Sequence, residues 1–277
     1  MQGKTVVATG ATSGIGEVAA VKLATMGARV LLIARDARRA EATLAKLERV
    51  APGLGHRVLY ADLSLMAETR RVGEAIASSE PRIDALVNNA GAIFSQRRVT
   101  AEGLEMTFAL NHMAYFVLTC ALRERLVGTA LARVVSTASA AHAAAGFDPG
   151  DLQSARRYGG WKAYARSKLY NILFTRELAR RLAGTGVTAN CLHPGFVASR
   201  FGEEMAGWTA PLFSLAKTFA ISPDDGADTI VHLVASPTVA TTSGEYFVKR
   251  KIAKPSAAAR DDNSARVLWA ASEALAS

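Results

Sequence analysis

Residues 5–16 read TVVATGATSGIG, and this stretch determines the fold that we expect for the chain. Its first half is a short apolar run typical of a buried strand, and its second half places three glycines before a segment with helical periodicity. A glycine-rich turn between a strand and a helix offers a phosphate group an unobstructed backbone and the free N–H groups of a helix start. An ordinary loop that binds nothing remains the alternative reading. The residues expected to contact a bound nucleotide here are Gly10, Thr12, Ser13, Gly14, Ile15 and Gly16.

Outward from this turn, short apolar runs alternate with longer helical segments, which is the pattern of βαβ units and a parallel sheet. Strands are predicted at Thr5–Thr9, Arg29–Ala34, Arg57–Ala61, Ala85–Val87, Arg133–Thr137, Val187–Leu192 and Gly244–Val248. Helices are predicted at Ile15–Met26, Ala37–Val50, Leu65–Ser78, Ala101–Leu126, Tyr158–Leu182 and Asp225–Ala235. No Pro- or Ser-rich linker interrupts the alternation between residues 5 and 193. We therefore predict an α/β fold, a doubly wound (Rossmann) parallel sheet of about seven strands in a single domain spanning 1–277.

The composition fits a soluble globular protein with a sizeable core and does not point to nucleic-acid binding. Half of the 277 residues are hydrophobic and 21% are charged, which supports a sizeable core. The net charge of +9 is spread along the chain without a basic stripe and interleaved aromatics, so we expect no nucleic-acid partner. Cys120 and Cys191 have apolar neighbours and are expected to be reduced core residues. Neither a signal peptide nor a membrane span is evident, so a cytoplasmic location is expected.

The end of the second predicted strand, LLIARD, indicates which nicotinamide cofactor is used. An acidic residue here would accept the ribose 2′-OH of NAD, whereas an arginine accommodates the 2′-phosphate of NADP. Ala34 ends the strand and Arg35 follows it, so we predict NADP (NADPH) with Arg35 at its phosphate, and NAD as the less favoured cofactor. Asp36 could instead pair with Arg35 or Arg39, and Arg35 could simply begin a solvated helix.

The candidate chemistry lies in YARSK, where Tyr164 and Lys168 stand four residues apart and so share one helix face. A phenol is a poor base at neutral pH, and a nearby ammonium is expected to lower the pKa of Tyr164 toward the working range. Such a pair could exchange a proton with a substrate oxygen while a nicotinamide exchanges the hydride. Taken alone, the spacing is common on any helix. Ser139 follows the VVST strand at the carboxyl edge of the sheet, where its hydroxyl would hold the substrate oxygen.

The TGxxxGxG turn, the NNAG sequence at 88–91 and YARSK together resemble the short-chain dehydrogenase/reductase superfamily, over roughly residues 3 to 250. The resemblance implies a catalytic set in which Asn111 carries a water of the proton relay. The implied catalytic residues are Asn111, Ser139, Tyr164 and Lys168. The further cofactor contacts that it implies are Asp62, Leu63, Asn89, Ala90, Gly91, Tyr164, Lys168, Pro194, Gly195, Val197 and Ser199. For Asn88 and Asn89, a structural role and a cofactor contact are equally open.

The serines near the site, the histidines and the two long helices each support a separate prediction. Alignment with the family's paired serines makes Ser139 rather than Ser136 the active residue, and Ser167 is expected to pack rather than to take part in the chemistry. The histidines lack an acidic or cysteine partner at ligand spacing, so no metal site is expected. Pairing of relatives through their two long helices, here Ala101–Leu126 and Tyr158–Leu182, implies that a homo-oligomer is also to be considered.

The 25 positions from Ser139 to Tyr164, followed by SKLYNILFTRELARRL and HPGFV, resemble the retinol dehydrogenase-like branch, which includes protochlorophyllide reductases. This implies an NADP(H)-dependent oxidoreductase acting on a lipophilic alcohol, aldehyde or ketone. The chain departs from animal members by lacking an N-terminal membrane anchor, which puts retinoid specificity in doubt. The aromatic-rich segment 199–222 is expected to be a substrate lid, although the same residues could simply seal the core. The alternative function is a catalytically silent cofactor-binding regulator or scaffold of the same fold.

Overall fold

The computed structural model describes residues 1–195 and 222–277, which form a sheet flanked by helices. The strands are β1 (Thr5–Thr9), β2 (Arg29–Ala34), β3 (Arg57–Tyr60), β4 (Ala85–Asn88), β5 (Arg133–Thr137), β6 (Thr188–His193), β7 (Tyr246–Val248) and β8 (Lys251–Ile252). The α-helices are α1 (Gly14–Thr25), α2 (Ala37–Val50), α3 (Met66–Ser79), α4 (Met106–Phe108), α5 (Ala114–Val127), α6 (Gly160–Arg181), α7 (Pro223–Ala235) and α8 (Asp262–Ala276). A π-helical segment, Ala109–Met113, joins α4 to α5.

The strand order is β3-β2-β1-β4-β5-β6-β7-β8, and β1 to β7 run parallel. The order reverses between β1 and β4, so the crevice at their carboxyl ends is where a doubly wound sheet binds its ligand. The predicted parallel sheet is therefore confirmed. The antiparallel β8 was not predicted, because its hairpin turn places Lys249 and Arg250 at φ 49° and 64°. Such a turn is usually marked by Asn or Gly, and neither residue stands here.

Two apolar cores cover the two faces of the sheet. On one face, α1, α2 and α7 pack against side chains such as Val6, Val30 and Leu32. On the other, α3, α5, α6 and α8 pack against side chains such as Val7 and Val134. The central strands are buried on both faces and so read as continuous apolar runs, whereas the edge strand β3 is exposed at both ends.

Helix α8 was not predicted, although the sequence carries a start signal for it. Asp261 caps the helix by accepting hydrogen bonds from the N–H groups of Asn263 and Ser264. Trp269 then stacks on Phe174 of α6, with ring centroids 5.8 Å apart and an angle of 5° between the planes. The same side chain also contacts Phe116 of α5, with ring centroids 4.9 Å apart, so α8 packs against both long helices. Whether the chain forms a homo-oligomer through α5 and α6 stays a prediction.

Two further expectations are corrected. The predicted helix Ala101–Leu126 begins only at Met106, because Glu105 ends the preceding turn and caps α4 through the N–H groups of Thr107 and Phe108. Cys191 is buried as expected, but Cys120 is exposed; both are free. In the described parts of the chain, no helix is both long enough and apolar enough to cross a membrane.

Candidate active site

The glycine turn is shaped by the close approach of two backbone segments. Gly10 has φ +61°, and a Cβ placed there would lie 2.7 Å from the main-chain N and Cα of Ala90. Gly14 adopts φ +55°, which is also unfavourable for residues that have a Cβ. The loop after β1 therefore fits against the loop after β4 only when position 10 carries no side chain.

The start of α1 fits the phosphate-binding role predicted for it. Ser13 is the N-cap residue, but its side chain makes no capping hydrogen bond. The first N–H groups of the helix thus lack a side-chain partner from the cap, at the end of the helix dipole that attracts anions. Together with the glycine backbone, this arrangement fits a nucleotide pyrophosphate, and the residues that would hold it are Gly10 and Thr12 to Gly16.

Arg35, the residue predicted to contact a 2′-phosphate, follows the end of β2. Its guanidinium is 76% exposed and lies 3.4 Å from a carboxylate oxygen of Asp62. Asp36 pairs instead with Arg39 at 3.7 Å and caps α2 through the Arg39 N–H, which resolves the two pairings that the sequence left open. Burial acts to raise the pKa of Asp62, but hydrogen bonds from Ser64 and the charge of Arg35 lower it overall. Asp62 thus stays ionised and holds Arg35 through a solvent-exposed pair.

The NNAG residues connect the carboxyl ends of three strands. The hydroxyl of Thr9 accepts hydrogen bonds from the N–H groups of Asn89 (2.9 Å) and Ala90 (3.1 Å). The Asn89 amide donates to the carbonyl of Gly10 at 3.0 Å and accepts from the hydroxyl of Thr137 at 3.0 Å. Asn89 therefore has the structural role of fixing the crevice between β1, β4 and β5, and its contact with a cofactor stays a prediction.

Asn88 is fully buried and has a different partner. Its side-chain amide donates to the hydroxyl of Thr119 at 3.0 Å, which joins β4 to α5. Leu63 is likewise buried, within the core under α3. Pro194 and Gly195 follow β6, and Gly195 has φ +96°. Val197, Ser199 and nearly all of the expected lid at 199–222 lie outside the described residues, so these assignments remain predictions.

Asn111 lies in the π-helical segment between α4 and α5, and such single turns are frequent at functional sites. Its side chain is fully buried: Oδ1 accepts from the Ala92 N–H at 2.9 Å, and Nδ2 donates to the Ala92 carbonyl at 3.0 Å. Nδ2 also donates to the Ser167 hydroxyl at 3.0 Å, and that hydroxyl donates to the carbonyl of Tyr164 at 2.7 Å. Ser167 therefore does more than pack, because it links Asn111 to the helix of the candidate proton donor.

Lys168 is buried one turn from Tyr164 on α6. Its ammonium donates to the Thr137 carbonyl at 3.0 Å, and the Asn171 amide donates to the same oxygen at 3.1 Å. The Nζ atom lies 5.6 Å from the ring centroid of Tyr164 and 5.9 Å from that of Tyr115. Burial lowers the pKa of Lys168 to about 7. The lysine is therefore held at the end of β5 beside both tyrosine rings.

The pKa of Tyr164 moves in the direction opposite to the one expected. Burial raises it to about 12, even though a side-chain hydrogen bond with Ser139 acts to lower it. Tyr164 is only 8% exposed, and the lysine gives its hydrogen bond to the strand carbonyl of Thr137. In the chain alone, Tyr164 is therefore a protonated phenol at neutral pH, which suits it to donate a proton to a carbonyl oxygen.

Ser139 completes the arrangement. It caps the short 3₁₀ helix Ala140–Ala144, with its hydroxyl accepting from the Ala141 N–H at 3.2 Å. Ser136, by contrast, is buried within β5, and its hydroxyl lacks a hydrogen-bond partner in the described structure. The structure thus brings Ser139 and Tyr164 into hydrogen-bond contact. Lys168 lies beside the Tyr164 ring, and Asn111 is joined to the Tyr164 main chain through Ser167.

Sequence reasoning missed several residues that hold this site. Thr9 and Asn171 act through hydrogen bonds to main-chain groups, and Thr137 offers Lys168 a carbonyl that any residue would supply. Asn171 stands three positions after Lys168 and so lies on the same helix face, which was an available signal. The partners of Thr9 are about 80 residues away in sequence, and only the fold reveals them.

Comparison with known proteins agrees with this geometry. The sequence model of the family described as short chain dehydrogenase matches residues 4–209, so the chain belongs to the short-chain dehydrogenase/reductase family. It is 38% identical to human retinol dehydrogenase 14 over 99% of the chain and 87% of that protein. It is also 38% identical to a Streptomyces protein provisionally named as the daunorubicin C-13 ketoreductase DnrU, over 99% of the chain and 93% of that protein. The chain is thus an oxidoreductase of the retinol dehydrogenase-like branch, acting on CH–OH or C=O groups.

Solved structures show the same fold. A crystal structure of a Mycobacterium paratuberculosis protein is 31% identical, with a TM-score of 0.79 over 99% of this chain and 94% of that one. The Pseudomonas aeruginosa RhlG/NADP active-site complex is 28% identical, with a TM-score of 0.71 over 89% of this chain and 94% of that one. A nicotinamide cofactor is therefore expected at the carboxyl edge of the sheet.

Proposed function

We propose that the chain is an NADP(H)-dependent carbonyl reductase or alcohol dehydrogenase in which Tyr164 exchanges the proton with the substrate oxygen. The observation that carries the proposal is the side-chain hydrogen bond between Tyr164 and Ser139, with Lys168 buried beside the same phenol. A regulator that had lost the reaction would have no need to keep a buried, protonatable lysine there.

Each residue has a distinct task in this proposal. The bound cofactor supplies or accepts the hydride. The Ser139 hydroxyl orients the substrate oxygen, and the Tyr164 phenol donates its proton to that oxygen during reduction. Lys168, held by the Thr137 carbonyl, supports the phenolate that remains. Asn111 fixes the loop after β4 against the helix of Tyr164, and so maintains the distances on which the transfer depends.

The choice of NADP over NAD rests on Arg35. The position after β2 offers a largely exposed guanidinium, and Ala34 ends that strand without an acid that would favour NAD. The nearest carboxylate, Asp62, is held by Ser64. The NADP complex of the Pseudomonas aeruginosa relative supports the same choice.

The proposed substrate is a mainly apolar carbonyl compound or alcohol. The relatives named above are a retinol dehydrogenase and a protein named as a ketoreductase of daunorubicin, and both names denote bulky, largely apolar substrates. The aromatic residues of segment 199–222 are the proposed cover for such a substrate.

The test is NADPH oxidation measured over a panel of apolar aldehydes and ketones, with the Tyr164→Phe variant beside the wild type. Loss of the proton donor should lower turnover by about a hundredfold or more. Tyr60→Phe is the matched control: its hydroxyl bonds Glu41 on the exposed surface, and its loss should leave turnover unchanged. Persistent turnover in Tyr164→Phe would refute the mechanism. Tight NADPH binding without turnover across the panel would favour the silent regulator.

A further inference from the structure

We propose that His142 is a positioning residue that holds Ser139 in place through a hydrogen bond to its main-chain carbonyl. The inference rests on the proposed function, in which the Ser139 hydroxyl orients the substrate oxygen. The imidazole Nδ1 of His142 lies 2.7 Å from the main-chain carbonyl oxygen of Ser139. The His142 main-chain N–H donates to the same oxygen at 3.2 Å, so one residue fixes this carbonyl twice.

The partner on the other side of the ring determines its tautomer. The main-chain N–H of Ser256 lies 3.1 Å from Nε2 of His142. A main-chain N–H can only donate, so Nε2 must be the unprotonated acceptor nitrogen. The single proton of the neutral ring is therefore on Nδ1, where it is donated to the Ser139 carbonyl. The C-terminal segment thus makes His142 a donor toward Ser139.

The surroundings favour this neutral ring. His142 is only 4% exposed, and its ring lies 5.2 Å from the ring of Tyr246 on β7. Burial lowers its pKa, despite the hydrogen bond to Ser139 that acts to raise it. His193 at the end of β6 is near enough that the charges of the two rings would oppose each other. The ring therefore remains a neutral, directional bridge between β5 and the C-terminal segment.

The segment that presents Ser256 is itself anchored. The N–H of Ala253 donates to the carbonyl of Tyr246 at 2.8 Å, so the start of this segment continues the antiparallel pairing of β7 with β8. The Ser256 hydroxyl accepts from the N–H of Ala259 at 3.4 Å, at the entrance to a short 3₁₀ turn. The segment is thus held at Ala253 by the sheet edge and at Ser256 by the turn, and Ser256 in turn bonds His142, which bonds Ser139.

The expected role is geometric. Ser139 follows the end of β5 and caps a 3₁₀ helix of five residues, and the ring bond of His142, at 2.7 Å, is shorter than the main-chain bond to the same carbonyl, at 3.2 Å. Without the bond from Nδ1, the Ser139 hydroxyl should drift relative to Tyr164. A displacement of about 1 Å at a reacting group can cost about a hundredfold in rate. The loss should appear in kcat, while the KM for NADPH stays near the wild-type value because the ring nitrogens of His142 bond Ser139 and Ser256 and no residue of the glycine turn after β1.

The test compares three variants of the full chain. His142→Leu removes both ring hydrogen bonds and should lower kcat by tenfold or more, by the same displacement argument. His142→Asn places an amide N–H near the position of Nδ1, and should recover most of that loss. His142→Gln places its amide near Nε2 instead, and should recover little. Equal kcat values for all three variants and the wild type would overturn the proposal, and so would equal losses in all three.

His56 provides the matched control. It is also buried, and its ring also bonds main-chain groups on both sides, with Nδ1 accepting from the Val30 N–H and Nε2 3.1 Å from the Ala51 carbonyl. It lies far from Ser139 in the fold, so His56→Asn should lower stability and leave kcat unchanged. If kcat fell in both histidine variants together, a general loss of folding would explain the result and His142 would have no special role.

The ring nitrogens can be observed directly. In an NMR spectrum that correlates ring protons with ring nitrogens, His142 should show the proton on Nδ1, and His56 should show it on Nε2. A proton on Nε2 of His142 would overturn the inference whatever the enzyme's activity. If no substrate in the panel were turned over by the wild type, the proposed function would fail, while the tautomer measurement would still decide whether His142 holds Ser139.

Discussion

The proposed phosphate turn, residues 10–16, and the proposed catalytic corner, formed by Asn111, Ser139, Tyr164 and Lys168, lie at the same edge of the sheet, but they are built in different ways. The turn uses backbone shape: Gly10, Gly14 and Gly16 follow one another within seven residues and make room for a ligand. The catalytic corner uses side chains from separate elements, with Asn111 in a π-helical turn, Ser139 after β5 and Tyr164 and Lys168 on α6.

The difference shows what each region is sensitive to. A Cβ at Gly10 would disturb the turn, because it would lie 2.7 Å from the main-chain N and Cα of Ala90. In the corner, each polar group has a specific partner, and losing one leaves another buried group unsatisfied. Substitutions in the corner should therefore affect the rate first, and substitutions in the turn should affect folding and cofactor binding together.

The largest expected effect is in the corner, at Lys168. Lys168→Met keeps the length of the side chain and removes the charge that supports the phenolate, so turnover should fall by about a hundredfold or more. The Thr137 carbonyl keeps the Asn171 amide as a partner, so the variant should fold. Lys162→Met, on the exposed side of the same helix, is the control and should keep full activity. Wild-type turnover in Lys168→Met would remove the lysine from the mechanism.

Comparison of the wild type with Lys168→Met also gives a prediction for the pH dependence of stability. Burial lowers the pKa of Lys168 to about 7 from an ordinary 10.5, so between these values the unfolded chain holds a proton that the folded chain has released. The contribution of this group to the free energy of unfolding therefore rises with pH across that window and is lost as pH falls toward 7. Urea unfolding of the cofactor-free proteins should show the wild type gaining stability over Lys168→Met between about pH 7 and about pH 9. A constant difference would contradict a lowered pKa.

In the turn, Gly10→Ala should destabilise the fold by about 2 kcal/mol or more and weaken NADPH binding. The new Cβ would meet the Ala90 backbone at 2.7 Å, in addition to the cost of a positive φ. Gly53→Ala separates the two costs, since Gly53 has φ +74° and no heavy atom within 4 Å of a Cβ. Chemical unfolding and a fluorescence titration with NADPH measure both effects. Equal destabilisation by the two substitutions would mean that the contact with Ala90 costs nothing.

The smallest effect on the fold is expected at Arg35. Its pair with Asp62 is exposed, so Arg35→Ala should change the free energy of unfolding by less than about 1 kcal/mol. A lost charged hydrogen bond to a 2′-phosphate should nevertheless weaken NADPH binding by about tenfold or more, and NADH binding far less. Arg49→Ala, in the exposed last turn of α2, is the control. Equal losses for both cofactors would remove Arg35 from the phosphate site.

The predicted bounds of strands and helices were accurate where an element is buried and where nearby residues, such as a helix cap, signal its ends. Strands β1, β2 and β5 and helix α2 have the predicted bounds, because continuous apolar runs and the Asp36 cap specify them locally. Helix α8 was missed even though Asp261 and the apolar positions after it signalled a helix. The eighth strand has no such signal, since its turn adopts positive φ at Lys249 and Arg250.

The sequence by itself determined the phosphate turn, the order of strands and helices, and the spacing that places Tyr164 and Lys168 on one helix face. These features depend on local backbone preferences and on periodicity, which can be read within a few residues. Only the tertiary structure decided the state and support of the catalytic groups. Burial reverses the expected pKa shift of Tyr164, and Ser256 selects the tautomer of His142 from 114 residues away. Desolvation and long-range hydrogen bonds exist only once the chain is packed, so the linear sequence could not show them.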